Sequence, residues 1–396
     1  MNKRILDPDV SEFIKANLKE DVSRLILNGS PFPDVSVQEL AQQLLGLQKA
    51  QTKLPTWAET AGIYFPPKLS LEQTSSELTA QYKASLVNGA KLIDLTGGFG
   101  IDDFYLSNQF THVTHCELND DLAVIAAHNY DKLNISNVEV VTLNSLEYLE
   151  NSIDQYDVIY ADPSRRSDSK GKVFMLKDCE PNIPEALPFL FTKSKTILIK
   201  TSPLLDISAG LKELRNVTEV HAVALKNEVK ELLWVLKQDT TNEPVKLICV
   251  NLESSYTQPV HLNAHSLGDA IANFGEPATF LYEPNAAIMK LGAFNWVSAH
   301  YNLDKLAPNS HLYTSKNKID FPGRVFKVDA VIPYSKKEIS KQIKNIKAHI
   351  TTRNFKETSA ALRAKFKVKD GGDTYLFFTT LLNNKTCMLK CSKIED

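Results

Sequence analysis

The segment 91–102 constrains the fold more than any other part of the chain. Its apolar start runs into Asp94, and three glycines follow within four positions: Gly97, Gly98 and Gly100. This pattern predicts a buried strand, a tight turn and the start of a helix. Glycine has no Cβ, so such a turn can adopt positive φ angles and let a ligand lie against its backbone. The segment therefore indicates an α/β sheet with a ligand site at the turn.

The turn differs from the common phosphate-binding glycine turns. Two of its glycines are adjacent, which departs from the dinucleotide fingerprint G-x-G-x-x-G, and the lysine of a P-loop is missing. Carboxylates flank the turn instead, and they favour a ligand with a cationic amine and neutral hydroxyls over a pyrophosphate. S-adenosylmethionine is such a ligand. The alternative is an ordinary βα turn that binds nothing.

Three further strand-like segments follow, and each ends in polar residues: 113–117 at Glu117, 138–143 before Asn144 and Ser145, and 156–161 before Asp162. Glu117 comes about 20 residues after the glycines, where doubly wound folds place a carboxylate against ribose hydroxyls. Polar residues such as Asn144 and Ser145 commonly border an adenine. Four βα units with polar residues at the carboxyl ends of their strands predict a Rossmann-like sheet with the ligand at that edge.

These motifs together carry a resemblance to a known family. The turn Asp94-Leu-Thr-Gly-Gly-Phe-Gly-Ile-Asp102, Glu117 and Asp162-Pro-Ser-Arg-Arg166 resemble a class I S-adenosylmethionine-dependent methyltransferase. More narrowly, they are similar to the bacterial family that joins such a domain to a C-terminal THUMP-like domain. Leu71-Glu-Gln-Thr-Ser-Ser-Glu77, Tyr82-Lys-Ala84 and Tyr282-Glu-Pro-Asn-Ala286 also resemble that family. The resemblance covers most of the chain, and its Asp-Pro-x-Arg-Arg element is far narrower than its glycine turn.

The resemblance implies an α/β fold. The expected core is a Rossmann-like seven-stranded methyltransferase sheet whose seventh strand is antiparallel. An N-terminal helical region precedes it, and C-terminal ferredoxin-like and THUMP-like α+β domains follow. A polar linker at 239–244 and the Pro322–Gly323 pair are the expected breaks. The predicted domains are a helical domain at 1–68, a methyltransferase domain at 69–240, a ferredoxin-like domain at 243–322 and a basic THUMP-like domain at 323–396.

The resemblance also implies a cofactor, S-adenosyl-L-methionine, and a set of residues around it. The expected cofactor-binding residues are Thr74, Ser75, Asp94, Thr96, Gly97, Gly98, Phe99, Gly100, Glu117, Leu118, Asn144, Ser145 and Asp162. The hydroxyls of Thr74 and Ser75 have a second interpretation, since they also suit the cap of the helix that follows.

Asp162, Pro163 and Arg165 are the predicted catalytic residues. Methyl transfer is an in-line displacement that requires orientation of donor and acceptor and removal of a proton. In related N-methyltransferases an acid or Asn at this strand end precedes Pro-Pro and an aromatic residue, and it holds an exocyclic amine. This chain keeps Asp162 and Pro163 but has Ser164 and Arg165 in the last two places. Arg165 can stack its guanidinium on a base or bind phosphate. The alternative for Asp162 is a turn-forming Asp-Pro pair. The alternative for Arg165 and Arg166 is that each forms a structural ion pair with a carboxylate.

Composition bounds the remaining possibilities. A length of 396 residues suggests two to four domains. The sequence has no run of 18 apolar residues and no apolar segment after its first charged residues, so neither a membrane span nor a secretory signal is expected. Its five cysteines are scattered, which predicts no metal site, no disulfides and a reducing cytoplasm. The sequence gives no indication of an oligomeric state.

Charge is distributed unevenly along the chain. From Gly323 onward there are 16 lysines and arginines against 7 acids, whereas the preceding residues have 29 against 40. A basic C-terminal block predicts a polyanionic partner, and the resemblance suggests RNA, either tRNA or rRNA. Lys337, Lys341 and Lys344 lie on a predicted helix at 336–349 with a spacing that places them on one face. The alternative is a solvated lysine-rich face.

Two less characteristic segments carry predictions of their own. Residues 53–57 and 63–67 break the helical pattern and are expected to form a linker with exposed aromatic residues, Trp57, Tyr64 and Phe65. These could form part of a substrate wall, but the favoured interpretation is that they join a small helical domain to its neighbour. The apolar stretch 286–299 is predicted to be a single helix.

Three functions are then open. The first is an S-adenosylmethionine-dependent methyltransferase acting on a base amine in RNA. The second is a non-catalytic RNA-binding scaffold or sensor that retains the cofactor pocket. The third, an NAD-dependent oxidoreductase, is disfavoured because G-x-G-x-x-G is missing.

Overall fold

A computed structural model describes residues 1–165, 175–239, 243–252, 258–343 and 346–394. Arg166 and Lys344, named above, lie outside the described residues. The chain forms two compact units. The first comprises Met1–Thr218 with Leu232–Glu243, and the second comprises Glu219–Glu231 with Pro244–Asp396.

The first unit begins with helices, as predicted. A short 3₁₀ helix at Lys3–Leu6 precedes α1 (Pro8–Ala16), α2 (Val22–Asn28), α3 (Val37–Lys53), α4 (Pro55–Glu59), α5 (Lys68–Gln73) and α6 (Glu77–Ala84). Local signals set the helix starts. Pro8 occupies the first turn of α1, and Ser36 and Glu39 form a reciprocal capping box at the start of α3.

The prediction that the aromatic residues of 53–57 and 63–67 are exposed is wrong. Pro55 starts α4 because proline fits the first turn of a helix as well as it breaks one. Trp57, Tyr64 and Phe65 are all buried. Phe65 is held to α3 by Gln43, whose amide donates to the Phe65 carbonyl and accepts its N–H, both at 2.8 Å. These aromatic residues belong to the core of the first unit.

Between residues 89 and 237, strands and helices alternate in the expected order. The elements are β1 (Gly89–Asp94), α7 (Ile101–Leu106), β2 (Phe110–Cys116), α8 (Asp120–Lys132), β3 (Val138–Val141), α9 (Ser145–Asn151), β4 (Tyr156–Ala161), β5 (Ser164–Arg165), a 3₁₀ helix (Leu176–Asp178), β6 (Cys179–Glu180), α10 (Ile183–Lys193), β7 (Ser194–Thr201), α11 (Ile207–Glu213), β8 (Val217–Leu225) and β9 (Glu228–Lys237).

The strand order confirms the Rossmann-like class. In the first unit it is β3-β2-β1-β4-β7-β9. The pairs from β3 to β7 are parallel, and β9 is antiparallel to β7. With β8, all seven predicted strands are present. Leu92, Ile93, Leu198 and Ile199 are fully buried, since a parallel sheet is covered on both faces. The carboxyl ends of β1, β2, β3, β4 and β7 therefore share one edge.

The second unit contains the rest of the chain. After β8 its elements are β10 (Lys246–Leu252), β11 (Val260–Asn263), α12 (Ala264–Asp269), β12 (Asn273–Phe274), β13 (Phe280–Pro284), α13 (Ala286–Lys290), α14 (Phe294–Tyr301), β14 (Asp304–Lys305), β15 (Tyr313–Ser315), β16 (Gly323–Pro333), α15 (Lys336–Gln342), β17 (Lys347–Arg353), α16 (Ser359–Phe366), β18 (Lys369–Thr380) and β19 (Thr386–Lys393). β10 pairs with β8 in parallel and with β11 antiparallel.

One eight-stranded sheet dominates the second unit, in the order β12-β14-β15-β13-β16-β19-β18-β17. The predicted break at Gly323 falls inside it, because β13 pairs antiparallel with β16 from Pro284↔Gly323 to Phe280↔Lys327. Gly323 is required there, since a Cβ would come within 2.2 Å of the Glu283 carbonyl oxygen.

Two helix predictions in the second unit need correction. The predicted helix at 286–299 is two helices, because Gly292 has φ +69° and ends the first. The predicted helix at 336–349 ends at Gln342, and Lys347 belongs to β17. The alternation of Ala348 and Ile350, both buried, suits a strand.

Two helical glycines give a matched test of core packing. In Gly46→Ala, the new Cβ would come within 2.3 Å of the Phe65 Cβ, so we expect a loss of roughly 1–3 kcal/mol of unfolding free energy. In Gly268→Ala, nothing lies within 4 Å of the new Cβ, so we expect a gain of about 0.5–1 kcal/mol from helix propensity. Urea unfolding measures both, and equal effects would contradict the packing of Phe65 against α3.

Candidate active site

The glycine turn joins β1 to α7, as the sequence predicts. Asp94 is the last residue of β1, and its buried Oδ1 accepts the Thr96 N–H at 2.7 Å and the Thr96 hydroxyl at 3.0 Å. Burial, and then the charge of Asp103, raise the pKa of Asp94 well above its ordinary value. Asp94 therefore fixes the conformation of the turn through its two hydrogen bonds with Thr96.

The three glycines serve different purposes. A Cβ on Gly97 would come within 2.3 Å of the His115 ring, and one on Gly100 within 2.2 Å of the Tyr130 hydroxyl oxygen. Protein side chains pack against both glycines, which the sequence does not predict, and Gly100 also has the predicted positive φ, +86°. Gly98 has φ +61°, and the atom closest to its ideal Cβ is the Thr96 carbonyl oxygen at 3.6 Å. Gly98 is thus the glycine whose open side leaves the backbone accessible to a ligand.

Glu117 follows β2 and holds the turn. One carboxylate oxygen accepts the Gly98 N–H at 2.9 Å, and the other accepts the Asn119 N–H at 2.7 Å. The predicted pairing of the glycine turn with the acid of the second strand is therefore present. A carboxylate has about four acceptor positions. Two positions on Glu117 thus remain for hydroxyl groups.

Asp162 lies beside the same turn. Its N–H donates to the Thr96 hydroxyl at 2.7 Å, which ties the carboxyl end of β4 to the glycine turn. Its carboxylate forms a short ion pair with the ammonium of Lys200, the next-to-last residue of β7. The predicted acceptor-side acid is thus already partnered by a cation.

Asp102, in the first turn of α7, is the centre of a buried polar network. Its Oδ2 accepts the Ser75 hydroxyl at 2.9 Å and the Tyr160 hydroxyl at 2.8 Å. Its Oδ1 lies 3.2 Å from the Lys83 Nζ, and Lys200 approaches its Oδ2 at 4.0 Å. Burial alone would raise the pKa of Asp102, but the charges of Lys83 and Lys200 and the two hydroxyl hydrogen bonds together hold that pKa below its ordinary value. Asp102 is therefore ionised.

Sequence reasoning misses most of this network. The sequence patterns place Ser75 at the cofactor site, but they give no role to Lys83, Asp102, Tyr160 and Lys200. A signal is available for Lys200, which is a lysine inside the apolar strand β7 and is itself buried. A lysine in such a position needs a carboxylate partner.

A second buried cluster lies behind the turn. The His115 Nδ1 is 2.7 Å from the Asp103 carboxylate and 3.1 Å from the Tyr130 hydroxyl. Burial, and then the charge of Asp102, raise the pKa of Asp103, whereas burial lowers the pKa of His115. The Asp103–His115 pair therefore carries little charge. It supports the turn from the protein interior.

The remaining predicted residues have varied placements. The Phe99 ring is buried against Trp57 at 4.8 Å, Leu118 is 72% exposed, and the Thr74 hydroxyl donates to the Leu71 carbonyl. Asn144 caps α9 by accepting the N–H groups of residues 146 and 147, and Ser145 is buried. Pro163 is buried, and Arg165 lies in β5, which pairs with β6. Ser75, Asp94, Thr96, Gly98, Glu117 and Asp162 are the predicted residues that direct contacts join to the turn or its network.

The C-terminal part of the chain matches two known domain families. Residues 280–322 match a ferredoxin-like domain, and residues 323–393 match a THUMP domain-like family. No curated protein is similar enough to the chain to count as a match.

A solved structure covers nearly the whole chain. The crystal structure of a putative methyltransferase from Porphyromonas gingivalis W83 is 33% identical, covers 99% of this chain and 99% of its own, and superposes with a TM-score of 0.87. The chain belongs to the family of this putative methyltransferase. The resemblance to class I S-adenosylmethionine-dependent methyltransferases with a C-terminal THUMP-like domain is thereby confirmed.

Other solved structures are less similar to this chain. A putative class I S-adenosylmethionine-dependent methyltransferase from Listeria monocytogenes is 13% identical, with 63% of this chain and 94% of that chain covered and a TM-score of 0.39. A putative methyltransferase from Streptococcus mutans in complex with SAH is 13% identical, with 41% and 96% covered and a TM-score of 0.31.

Two further observations concern metals and membranes. Among the residues that the structure describes, no three His, Cys, Asp or Glu side chains come together as a metal site would require. Over the same residues, no helix combines the length and apolar character of a membrane span.

The Asp103–His115 pair gives a pH-dependent prediction for this family member. Between about pH 4, where an unfolded Asp titrates, and its raised folded pKa, Asp103 holds a proton that the unfolded chain releases. Its contribution to stability therefore falls as pH rises. Asp103→Asn should lose less stability relative to the wild type at pH 8 than at pH 5, by up to about 1.4 kcal/mol per pH unit in that window.

Urea unfolding at both pH values tests this, with the exposed Asp131→Asn as the control. His115 contributes the opposite slope below about pH 6.5, but it is present in all three proteins. A stability difference that is independent of pH would show that Asp103 is ionised in the folded protein.

Proposed function

We propose that this protein is an S-adenosylmethionine-dependent methyltransferase that acts on a base amine in RNA, either tRNA or rRNA. The observation that carries the proposal is the hydrogen bond from the Asp162 N–H to the Thr96 hydroxyl, at 2.7 Å. It holds the acid expected to receive the acceptor amine beside the turn expected to hold the donor. The coarser conclusion, a methyltransferase fold with a THUMP-like domain, rests on the family itself.

The residues present fit the cofactor. Gly98 offers open backbone at the turn, and Glu117 retains acceptor positions for two ribose hydroxyls. Asn144 and Ser145 follow β3, where an adenine would be bordered. Asp102 is already paired with Lys83 and accepts hydrogen bonds from two hydroxyl groups. It would therefore fix the turn and would not bind the cofactor's amine. When bound there, S-adenosylmethionine would supply an electrophilic methyl group on a sulfonium.

The chain's own contribution would be orientation. The Asp162 carboxylate would accept a hydrogen bond from the exocyclic N–H of the base and so direct the nitrogen lone pair. Lys200 fixes that carboxylate through their ion pair and occupies one of its oxygens. Asp162 would therefore hold the amine during transfer, and the proton would leave afterwards to solvent. Arg165, from β5, would stack on the base in place of an aromatic ring.

RNA binding is assigned to the second unit. Lys336, Lys337 and Lys341 are all exposed on α15 in the THUMP-like part. Lys347 adds a charge from β17 rather than from the predicted helix. Phosphate contacts from such lysines are independent of sequence and dependent on salt.

A non-catalytic scaffold or sensor remains the second candidate. The Asp162–Lys200 ion pair favours it, because it occupies an acceptor oxygen of the acid that would hold the amine. Ser164 and Arg165, in place of proline and an aromatic residue, favour it too. Methyl incorporation from labelled S-adenosylmethionine into total cellular RNA separates the two candidates.

Asp162→Ala separates binding from turnover. The change keeps the backbone N–H that bonds to Thr96 and removes the carboxylate that would hold the amine. We expect cofactor affinity, measured by calorimetry, to remain within about threefold and methyl transfer to fall about a hundredfold, because the acceptor loses its orientation. Asp154→Ala is the matched control, because Asp154 is an exposed carboxylate paired with Lys91.

Two results would change the assignment. Wild-type turnover in Asp162→Ala would end the proposed mechanism. A loss of cofactor affinity instead would move Asp162 to the donor pocket.

The RNA prediction is best tested by charge, because β13 pairs with β16 and truncation at Gly323 would break the eight-stranded sheet. Replacing Lys336, Lys337 and Lys341 with Gln should weaken RNA binding for all sequences. It should also lower the log–log salt slope by about 0.7–0.9 for each phosphate that the lysines no longer neutralise. The control replaces the exposed Lys3, Lys15 and Lys19 of the first unit with Gln. Equal RNA affinity in all three proteins would make α15 a solvated face only.

A further inference from the structure

A partly open cavity of about 240 Å³ lies among the N-terminal helices of the first unit. Residues of the first 3₁₀ helix, α1, α3, α4 and the segment 60–65 line it. The buried part of this lining is mainly apolar and includes Ile5, Ile14, Trp57, Ile63 and Phe65. None of these residues belongs to the hydrogen-bond network at the glycine turn, so the cavity is a separate feature of the fold.

The cavity is large enough for a small organic molecule. A cavity of about 150 Å³ that is lined by leucine, isoleucine and phenylalanine side chains can hold benzene. At about 240 Å³, the cavity among the N-terminal helices has room for such a ring and a short substituent. An apolar occupant would also remove apolar side chains from water, which is favourable.

Most polar side chains of the lining are engaged within the protein. The amide of Gln43 bonds to both backbone groups of Phe65, and the hydroxyl of Thr60 donates to a carbonyl of α4 at 2.8 Å. The hydroxyl of Ser11 differs, because its hydrogen bond to the Ile5 carbonyl is 3.5 Å long. Such a distance is beyond the range of a good hydrogen bond. Ser11 is therefore the lining hydroxyl that is best able to bind a ligand.

Lys15 gives the cavity its charge. Among the described residues that line the cavity, Lys15 is the only charged one. Its side chain is exposed, and within the described part of the chain its ammonium has no ion-pair partner. The acids at the start of α1, Asp7 and Asp9, are both paired with Arg4, at 2.9 and 2.6 Å. Charge complementarity therefore favours an anionic group in the cavity.

Ser11 and Lys15 are placed to act together. They are four residues apart in α1, so they lie one turn apart on the same face of the helix, and both line the cavity. A hydroxyl and an ammonium both donate hydrogen bonds, and a carboxylate has two oxygens that accept them. The cavity thus combines an apolar wall with two donors for one carboxylate.

We propose that this cavity binds a small organic acid. The apolar body of the acid would lie against Ile14 and Trp57, and its carboxylate would lie at Ser11 and Lys15. The ring of Trp57 is held from its other contacts by Phe99, with ring centres 4.8 Å apart, so its position is defined before a ligand binds. The inference does not rest on methyl transfer.

Phenylacetate and its uncharged counterpart phenylacetamide are suitable probes for the full-length protein. The readout is the indole ¹H–¹⁵N resonance of Trp57, one of three tryptophans. It is assigned by its loss in Trp57→Phe or, should that variant not fold, by elimination in Trp234→Phe and Trp296→Phe.

Phenylacetate should shift the Trp57 resonance with a Kd of about 1 mM or tighter, and phenylacetamide should bind at least about threefold more weakly. No shift of that resonance at about 20 mM phenylacetate, roughly 20 times the expected Kd, would overturn the proposal. Equal affinity for the two probes would overturn it as well, because the cavity would then not recognise an acid.

Lys15→Met tests the charge, because it keeps a long side chain and removes the ammonium. It should weaken phenylacetate binding by about three- to fivefold and leave phenylacetamide binding within about twofold. Lys19→Met is the matched control, since Lys19 is exposed and does not line the cavity. If Lys15→Met still prefers phenylacetate as strongly as the wild type does, the carboxylate does not lie at Lys15 and the proposal is withdrawn.

Ser11→Leu tests the cavity itself. The leucine side chain would occupy the cavity, so binding of both probes should fall at least about tenfold, while the Tm stays equal or rises. Ala16→Leu, at the exposed end of the same helix, should leave binding of both probes within about twofold. Wild-type affinity in Ser11→Leu would place the probes outside the cavity and overturn the proposal. These measurements need neither S-adenosylmethionine nor RNA, so their outcome is independent of the proposed function.

Discussion

The buried ion pair of Asp102 and Lys83 is the interaction on which the first unit depends most. Lys83 is fully buried, and removing either partner would leave an uncompensated charge, which typically costs about 3–5 kcal/mol. Asp102 also accepts hydrogen bonds from the hydroxyl groups of Ser75 and Tyr160. Through these contacts the segment before β1, the glycine turn and the end of β4 are held at fixed positions. The candidate site is therefore built on a network whose members cannot be changed one at a time.

Which features can be predicted from the sequence depends on how far apart in the chain the interacting residues lie. Strand and turn patterns predict the sheet, its antiparallel seventh strand and the pairing of Gly98 with Glu117, because these depend on local periodicity and a fixed spacing. The network at Asp102 is not predicted, because its members come from four separate elements. The burial of Trp57 is missed for a similar reason: a broken helical pattern describes a chain segment and not what covers it.

The C-terminal half shows a different limit. Proline and glycine at 322–323 look like a break between domains, and the two family matches also meet there. Yet Gly323 begins a strand that pairs with β13 on one side and β19 on the other. The glycine is present because the Glu283 carbonyl leaves no room for a Cβ. Proline and glycine indicate a local backbone requirement. The boundary between two family domains can fall at such a position even inside a continuous sheet.

The Lys200–Asp162 ion pair decides what kind of methyl acceptor the site would favour. A free carboxylate at the end of β4 would be able both to hold an amine and to take its proton. Paired with Lys200, it keeps its hydrogen-bond geometry, but the ammonium occupies one of its oxygens. Lys200 also lies 4.0 Å from Asp102, so the same ammonium links the acid after β4 to the buried network. A positive charge beside the acceptor acid disfavours a second cation there. Under the proposed function, the site would therefore suit a neutral acceptor nitrogen, such as the exocyclic amine of a base, better than an alkylammonium.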